Sequence, residues 1–407
     1  MDNTKSSDDV VEADVMVVGS GAIAGVLVCA MASAGLRVAL VGGLADTTVQ
    51  DGGVLAISAA SRPLFEGLDL WDDLAAQAEP ILDFRVVDGV SRLFLHYDQA
   101  DLGFEPFGWT IANNQVRDVL TARLAMKADG VTVIPASVLS LDFGTDGVQA
   151  RLTDGRQVAA RVLAAADGIN SPTRLGAGIG VIGWETGQTT IVCDIEHATS
   201  HDGFAYEHFL PGGPFVVLPM TGERASVAWT ERHLKALRLL DMEEGEFLAA
   251  LRKRLDGVLG ELTQVGPRRA IPVCPQIADA YVGKRLALVG EAALSAHPVV
   301  GHGFDQACRD VAALAEVLAD AARIGLDIGE TGILMKYQRW RRPDAIATLV
   351  AAEAFNRLFS NDFAPLRFGR DLGLALVNKV APVKKALLQR VTGFSGEVPR
   401  LLRGENL

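Results

Sequence analysis

The chain is poor in aromatic residues, in cysteine and in positive charge. Phe, Trp and Tyr make up 6% of its 407 residues, and only four residues are cysteine. Those four, Cys29, Cys193, Cys274 and Cys308, are widely spaced in apolar segments, and no C-x-x-C pair occurs. The pattern speaks against a disulfide scaffold and a thiolate metal centre and predicts buried, reduced thiols. The seven histidines show no metal-ligand spacing. Lys and Arg number 38 against 50 Asp and Glu, a formal net charge of -12. Without a basic stripe to neutralise phosphates, nucleic acid is not expected as a partner. Met1 to Asp14 is acidic and polar, the reverse of a secretory signal's charge pattern, so a cytoplasmic location is the expectation. Val15 to Leu36 carries no charge. Its Gly19, Gly21, Gly25 and Gly35 divide it into strand, turn and helix rather than a membrane span.

What is present is an ordinary globular composition, 49% hydrophobic and 22% charged. The length fits two to three domains, or a cofactor-binding domain with a second domain inserted into it. Asp14 to Val18 reads as a buried strand, Gly19-Ser-Gly-Ala-Ile-Ala24 as a glycine turn, Gly25 to Ser33 as a helix and Arg37 to Val41 as a second strand. This is a βαβ unit with a G-x-G-x-x-A fingerprint. Gly19 permits the tight turn, Gly21 lets a pyrophosphate reach the backbone, and small Ala24 lets helix pack on strand. The carboxylate that normally grips a ribose at the end of the second strand is missing. Val41-Gly42-Gly43 stands there, with Asp46 the nearest acid.

Two further segments have the same character. Ala166-Asp-Gly-Ile-Asn-Ser-Pro-Thr-Arg174 follows a strand: Asp167 can accept hydrogen bonds, Gly168 keeps an approach open, Ser171 can cap, and Arg174 can offer a fork to a phosphate. Leu286 to Val289 is an apolar run ended by Gly290, and Glu291 sits at its carboxyl end, where open α/β sheets bind ligands. Pro298, Gly301 and Gly303 then lead bare backbone into a helix beginning near Phe304, a place suited to an electron-rich ligand.

Between these lie other readable elements. Trp71 to Asp101 alternates helical and irregular patterns, Asn114 to Met126 is a helix, and strands from Val131 to Ala166 form a small antiparallel meander feeding the main sheet. Ile179 to Arg269 has the texture of an inserted sheet domain with Pro211-Gly-Gly-Pro214 as a hairpin, and Gly332 to Phe359 is helical. Pro365 to Leu407 holds eight Lys/Arg against three acids, a local +5, interleaved with Leu372, Leu376, Val380, Val383 and Leu387. That is either a basic amphipathic surface for a bilayer or acidic partner, or a solvated helix with one face on the core.

The three segments in this order and spacing resemble the single-component FAD-dependent aromatic hydroxylases, and more narrowly the ubiquinone-biosynthesis hydroxylase family. Further matches are Leu55 to Ser61, Gly212-Gly-Pro214, Leu218-Pro219, Tyr337 to Asp344, Asn356-Arg-Leu-Phe-Ser360 and Pro399 to Glu405. The resemblance covers nearly the whole chain. It implies an α/β fold: an FAD-binding Rossmann-like domain of the glutathione-reductase and aromatic-hydroxylase type (1-75, 100-178, 270-330), an inserted antiparallel-sheet substrate domain (76-99, 179-269) and a helical C-terminal region (331-407). It further implies FAD as cofactor, NAD(P)H as co-substrate, and a monooxygenase acting on a prenylated phenol or similar aromatic in ubiquinone biosynthesis. A location at the inner face of the membrane, or in a quinone-synthesis complex, would follow from the basic tail. By the same resemblance Gly19, Ser20, Gly21, Ala24, Arg117, Asp167, Gly168, Glu291, Pro298, Gly301 and Gly303 are the cofactor-binding residues.

The chain departs from the family at polar contacts. Gly42 stands for a ribose-binding Glu, Gly53 for an Arg, Ala112 for a Glu, Glu291 for Asp, Leu294 for His, His302 for Gln and Asp305 for Asn. Each lost charged hydrogen bond is worth on the order of 1.5 to 3 kcal/mol. The alternative reading is therefore a catalytically degenerate paralogue acting as a binding or scaffold subunit with weak or no FAD binding.

Overall fold

The computed structural model describes residues 10–44, 53–89, 94–98, 106–126, 130–255, 257–297, 303–360 and 397–407. The principal sheet runs in the order Val282–Gly283, Leu286–Leu288, Gln157–Ala165, Val10–Val18, Val38–Val41, Val131–Ile134. All but the first of these strands are parallel to their neighbours. Val15 to Val18, Val38 to Val41 and Leu286 to Leu288 are all buried, as strands covered on both faces must be. The register aligns Val18 with both Val41 and Ala165, and Ala165 with Leu288. The chain therefore leaves all four strands along one edge, and the glycine-rich segments meet there.

The helix Ala22–Ser33 has buried residues from Ala24 to Met31, which matches a helix enclosed by the sheet and by the helices Asn113–Met126 and Gly303–Arg323. No helix among the described residues is long and apolar enough to cross a membrane. The stretch from Val131 is only partly the antiparallel meander that alternation predicts. Val138–Phe143, Val148–Leu152 and Gln157–Ala165 pair antiparallel, but Val131–Ile134 joins the principal sheet beside Val38–Val41 in parallel. Its pattern could not show this, because local alternation carries no information about the partner strand.

A second large sheet has the order Leu262–Val265, Gln188–His197, Arg224–Arg232, Gly213–Met220, Phe204–Leu210, Asp83–Asp88, Phe94–Asp98, with Arg269–Pro272 also paired to Gln188–His197. Ile191, Cys193 and Ile195 alternate onto one face, where they pack with Phe215, Trp229 and Val227 against Phe247 and Leu251 of the helix Glu244–Leu255. The hairpin between Phe204–Leu210 and Gly213–Met220 turns at Pro211-Gly212, as the motif predicts. The strands at Asp83–Asp88 and Phe94–Asp98 correct the helical and irregular reading of Trp71 to Asp101. The three acids and bases among Asp83, Arg85 and Asp88 hide the strand pattern, and tertiary pairing with Phe204–Leu210 decides it.

At the C-terminal end, Gly303–Arg323 packs against Thr331–Phe359. Trp340 Nε1 donates to the Glu397 carbonyl at 3.1 Å, and the Arg400 amide donates to Glu316 at 2.7 Å, so residues 397–407 lie back on these helices. Of the tail's cations, Arg400 pairs with Glu316 and Asp320, and Arg403 with Glu405. The other six lie outside the described residues.

Candidate active site

A cleft of about 860 Å³ opens at the carboxyl edge of the principal sheet. It is bordered by Gly19, Ser20, Gly21, Asp167, Gly168, Glu291 and Gly303, so seven of the sequence-predicted residues face one space. Ala24 lies beneath it, fully buried; a Cβ on Gly19 would come within 3.1 Å of the Ala24 methyl group. Arg117, half-buried on the helix Asn113–Met126, is not among the lining residues. Pro298 and Gly301 fall outside the described residues.

The glycine turn is built for close approach. Gly19 has φ +155°, and a Cβ there would press into the Ala166 carbonyl oxygen. Beyond Gly21 nothing lies within 4 Å of a would-be Cβ, so a ligand can reach the backbone at the helix start. Asp167 is held by its own turn: it accepts from Ser171 Oγ at 2.5 Å and from the Thr173 amide at 3.0 Å. Ser171 in turn caps the helix Pro172–Gly176 by accepting from the Arg174 amide. Arg174 does not offer its fork to a ligand. It is 3% exposed and donates to the carbonyls of Ala292 and Ile169, both at 2.9 Å, pinning the Asp167 loop to the Glu291 turn.

Glu291 stands on a 3-10 turn, Gly290–Ala292, that begins with Gly290 at φ +62°. The Gly290 amide donates to Asp310 at 3.1 Å, and the other oxygen of Asp310 takes Arg341 Nε at 2.8 Å. Arg341, 1% exposed, also reaches Asp344 and Gln306, each at 2.9 Å. A buried ion pair on two helices therefore sets the backbone that presents Glu291. The Glu291 carboxyl opens to the cleft, yet loss of hydration at the cleft wall pushes its pKa above the ordinary carboxylate value.

Several departures from the family acquire a physical reason. Gly42 has φ +117°, and a Cβ there would lie 2.8 Å from the Gly19 carbonyl oxygen, so the backbone itself leaves no room for a ribose-gripping side chain. Gly53, also at positive φ, sits beside Arg269, whose guanidinium comes within 3.0 Å of a would-be Cβ and restores a cation near that point. Leu294 is 8% exposed and packs in the main core. Asp305, 6% exposed in the first helical turn, accepts from the Ser58 amide at 3.2 Å, Ser58 Oγ at 2.8 Å and Ser61 Oγ at 2.6 Å. It fastens the Leu55 to Ser61 segment to the helix start bordering the cleft, with a charge favoured at that end of the dipole.

The residues present are compatible with FAD, whose pyrophosphate Gly19 and Gly21 would face and whose ribityl chain Glu291 would face; among the described residues no carboxylate lines the cleft beside Val41 and Gly42, and Asp46 lies outside them. The cleft's volume lies at the upper end of the roughly 300 to 1,000 Å³ usual for ligand sites. The fold and the cleft together define a flavin-dependent monooxygenase of the aromatic-hydroxylase architecture. The FAD-binding domain family matches residues 12–352. Ubiquinone hydroxylase UbiL of Rhodospirillum rubrum is 43% identical over 408 residues, covering 98% of this chain and 94% of that protein. The 3-demethoxyubiquinol 3-hydroxylase of Escherichia coli is 30% identical over 389 residues, covering 94% and 98%. Among solved structures, p-nitrophenol 4-monooxygenase PnpA of Pseudomonas putida shares the fold with a TM-score of 0.80 at 22% identity, over 95% of this chain and all of that one. The chain belongs to the ubiquinone-biosynthesis hydroxylase family, and it is an FAD-dependent monooxygenase.

Sequence reading missed one polar cluster at the seam between the two sheets. Gln188 Nε2 donates to the Gly212 carbonyl at 2.9 Å, while its Oε1 accepts from Asn356 Nδ2 and meets His297 Nε2, both at 3.0 Å. Ser360 Oγ donates to Asn356 Oδ1 at 2.8 Å. Gly212, Asn356 and Ser360 belong to segments that carried the resemblance without a role attached, which was the available signal. Nearby, Asp194 Oδ2 accepts from the Gly53 amide at 3.4 Å across the same seam.

Proposed function

We propose that the protein hydroxylates the ring of a prenylated phenol in ubiquinone biosynthesis, using dioxygen and NAD(P)H. The observation that carries the reading is the convergence of Gly19, Gly21, Asp167, Gly168, Glu291 and Gly303 on one cleft in a chain whose relatives include ubiquinone hydroxylases. FAD, when bound, would supply the redox chemistry between a nicotinamide and dioxygen. The protein's own residues hold and shield. Gly19 and Gly21 open the backbone to the pyrophosphate, with the start of the helix Ala22–Ser33 favouring its charge. Glu291 would accept from the ribityl hydroxyls of a bound FAD. Leu55, Val289, Phe304 and Ala307 give the cleft an apolar wall that keeps water from the reacting atoms. No protein nucleophile is required.

The test is an absorbance spectrum of freshly purified protein together with its melting temperature at saturating FAD. A flavin band and a raised Tm are expected, because a ligand that binds only the native state stabilises it. Colourless protein with an unchanged Tm would support the scaffold reading instead.

A further inference from the structure

We propose that the exposed side of the helix Thr331–Phe359 seats the protein on an anionic lipid bilayer, its residues from Pro343 to Phe355 entering the acyl boundary and the cations at either end meeting the headgroups. The inference rests on the proposed function only for the lipid character of the substrate that such a surface would supply.

This helix is apolar on two sides. Leu334, Tyr337, Ala345 and Leu349 are buried in the main core. On the other side Pro343, Ile346, Ala347, Val350, Ala354 and Phe355, recurring at helical spacing, are all exposed, Ile346 at 39%, Val350 at 62% and Phe355 at 40%. They span about 18 Å of helix at 1.5 Å per residue. Every exposed residue in that run is Pro, Ile, Ala, Val or Phe, so the surface offers no side-chain donor or acceptor. A protein interface usually carries about one hydrogen bond per 100 to 200 Å², which fixes the partner's register. A face with nothing to fix a register suits a fluid apolar medium. The helix lies on such a medium rather than crossing it, being too polar on its flanks to span.

Charge selects the kind of lipid. Lys336 and Arg339 are exposed just before the apolar run, and Arg357, 75% exposed, comes just after it. The helix has two acids, and neither is exposed: Asp344 accepts from Arg341 at 2.9 Å and Arg309 at 3.4 Å, and Glu353 accepts from Arg357. From Thr331 to Leu407 the chain carries 13 Lys/Arg against six acids, +7 in a protein of -12. Residues 361–396, outside the described ones, supply six of those cations. They follow directly on Ser360, and the residue after them, Glu397, is held at 3.1 Å by Trp340 of the same helix. Both ends of that basic stretch are therefore tied to the helix that bears the apolar face. An apolar surface framed by cations is complementary to a negatively charged bilayer. Asn356 and Ser360 of this helix also border a cavity of about 320 Å³ with Gln188 and Gly212, so the face ends beside the seam between the two sheets.

The experiment is vesicle flotation of the full-length protein, comparing phosphatidylcholine vesicles with vesicles in which about one lipid in three is phosphatidylglycerol. The wild type should float with the anionic vesicles and bind them about 10-fold or more tightly than the neutral ones, with the difference shrinking at high salt. Val350→Glu puts a charge in the middle of the apolar face and should weaken anionic-vesicle binding about 10-fold or more. Ala354→Trp adds an interfacial aromatic at an exposed position and should strengthen it several-fold, which keeps the test open should the Glu variant not fold. No flotation of the wild type would overturn the proposal. So would flotation untouched by both substitutions, since the basic stretch alone would then carry it. A Val350→Glu protein with a lowered Tm and no vesicle effect would show that the chain covers this face itself, and one that turns a dimer into a monomer would show a second copy there. Vesicle binding is scored apart from hydroxylation: flotation without product leaves the surface in place and refutes the reaction, and product without flotation does the reverse.

Discussion

Replacing Asp310 by Ala leaves the Arg341 guanidinium buried at 1% exposure and without its closest carboxylate. Breaking a buried ion pair typically costs about 3 to 5 kcal/mol, mostly through the stranded charge. Here Asp344 and Gln306 still hold the other two nitrogens at 2.9 Å, which places the ion-pair loss near the lower figure. The Gly290 amide loses its acceptor as well, adding about 1 kcal/mol. The expected loss is therefore about 4 kcal/mol, large against the roughly 5 to 15 kcal/mol of a typical fold. Urea unfolding would read it as a lowered midpoint. FAD affinity should fall too, since the released turn is the one that presents Glu291. The double variant Asp310→Leu with Arg341→Met removes both charges and should lose clearly less than the sum of the singles. A single variant within about 1 kcal/mol of wild type, or strictly additive losses, would refute the reasoning.

Other consequences are equally open to measurement. Gly42→Glu should not strengthen FAD binding, despite restoring the residue type of the family, because the side chain meets the Gly19 carbonyl at a positive φ; a flavin titration showing tighter binding would contradict this. Glu291→Gln should weaken FAD by about 10-fold to 100-fold, as loss of a charged acceptor implies. Of the four thiols, Cys274 is the half-exposed one, while Cys29, Cys193 and Cys308 are buried and burial pushes Cys193 up to about 12. A native-state thiol titration should accordingly count one rapid reaction, and four after denaturation. His297 is held neutral, its pKa depressed to about 4 from about 6.5 in an unfolded chain. Its contribution is fully present above about 6.5 and is lost as pH falls toward 4, amounting to about 3 kcal/mol. Unfolding free energies of wild type and His297→Gln should converge over that window, and parallel curves would count against it.

What the sequence disclosed and what it withheld divide along a physical line. The helix Asn113–Met126 and the hairpin at Gly212 were legible because their period and turn chemistry are local. So were the three glycine segments, whose backbone demands recur with the same residue types. The strand Asp83–Asp88 was not legible, because what holds it is distant in sequence: it pairs with Phe204–Leu210, and Arg85 lies over the Phe204 ring at 4.6 Å. Arg174 was misread for a related reason: a guanidinium suited to phosphate is equally suited to two carbonyl oxygens, and only the fold shows which it meets. The altered contacts at Gly42 and Gly53 looked like simple losses. In the structure one is a backbone conformation that excludes a side chain, and the other is accompanied by a cation from Arg269.

Hydroxylation itself is the most direct test. Protein supplied with FAD, NADPH, a 2-prenylphenol and isotopically labelled dioxygen should release a hydroxylated product carrying a single labelled oxygen, with NADPH consumed in step. NADPH oxidation without product, or product whose new oxygen comes from water, would contradict the assignment of this cleft to an aromatic monooxygenase.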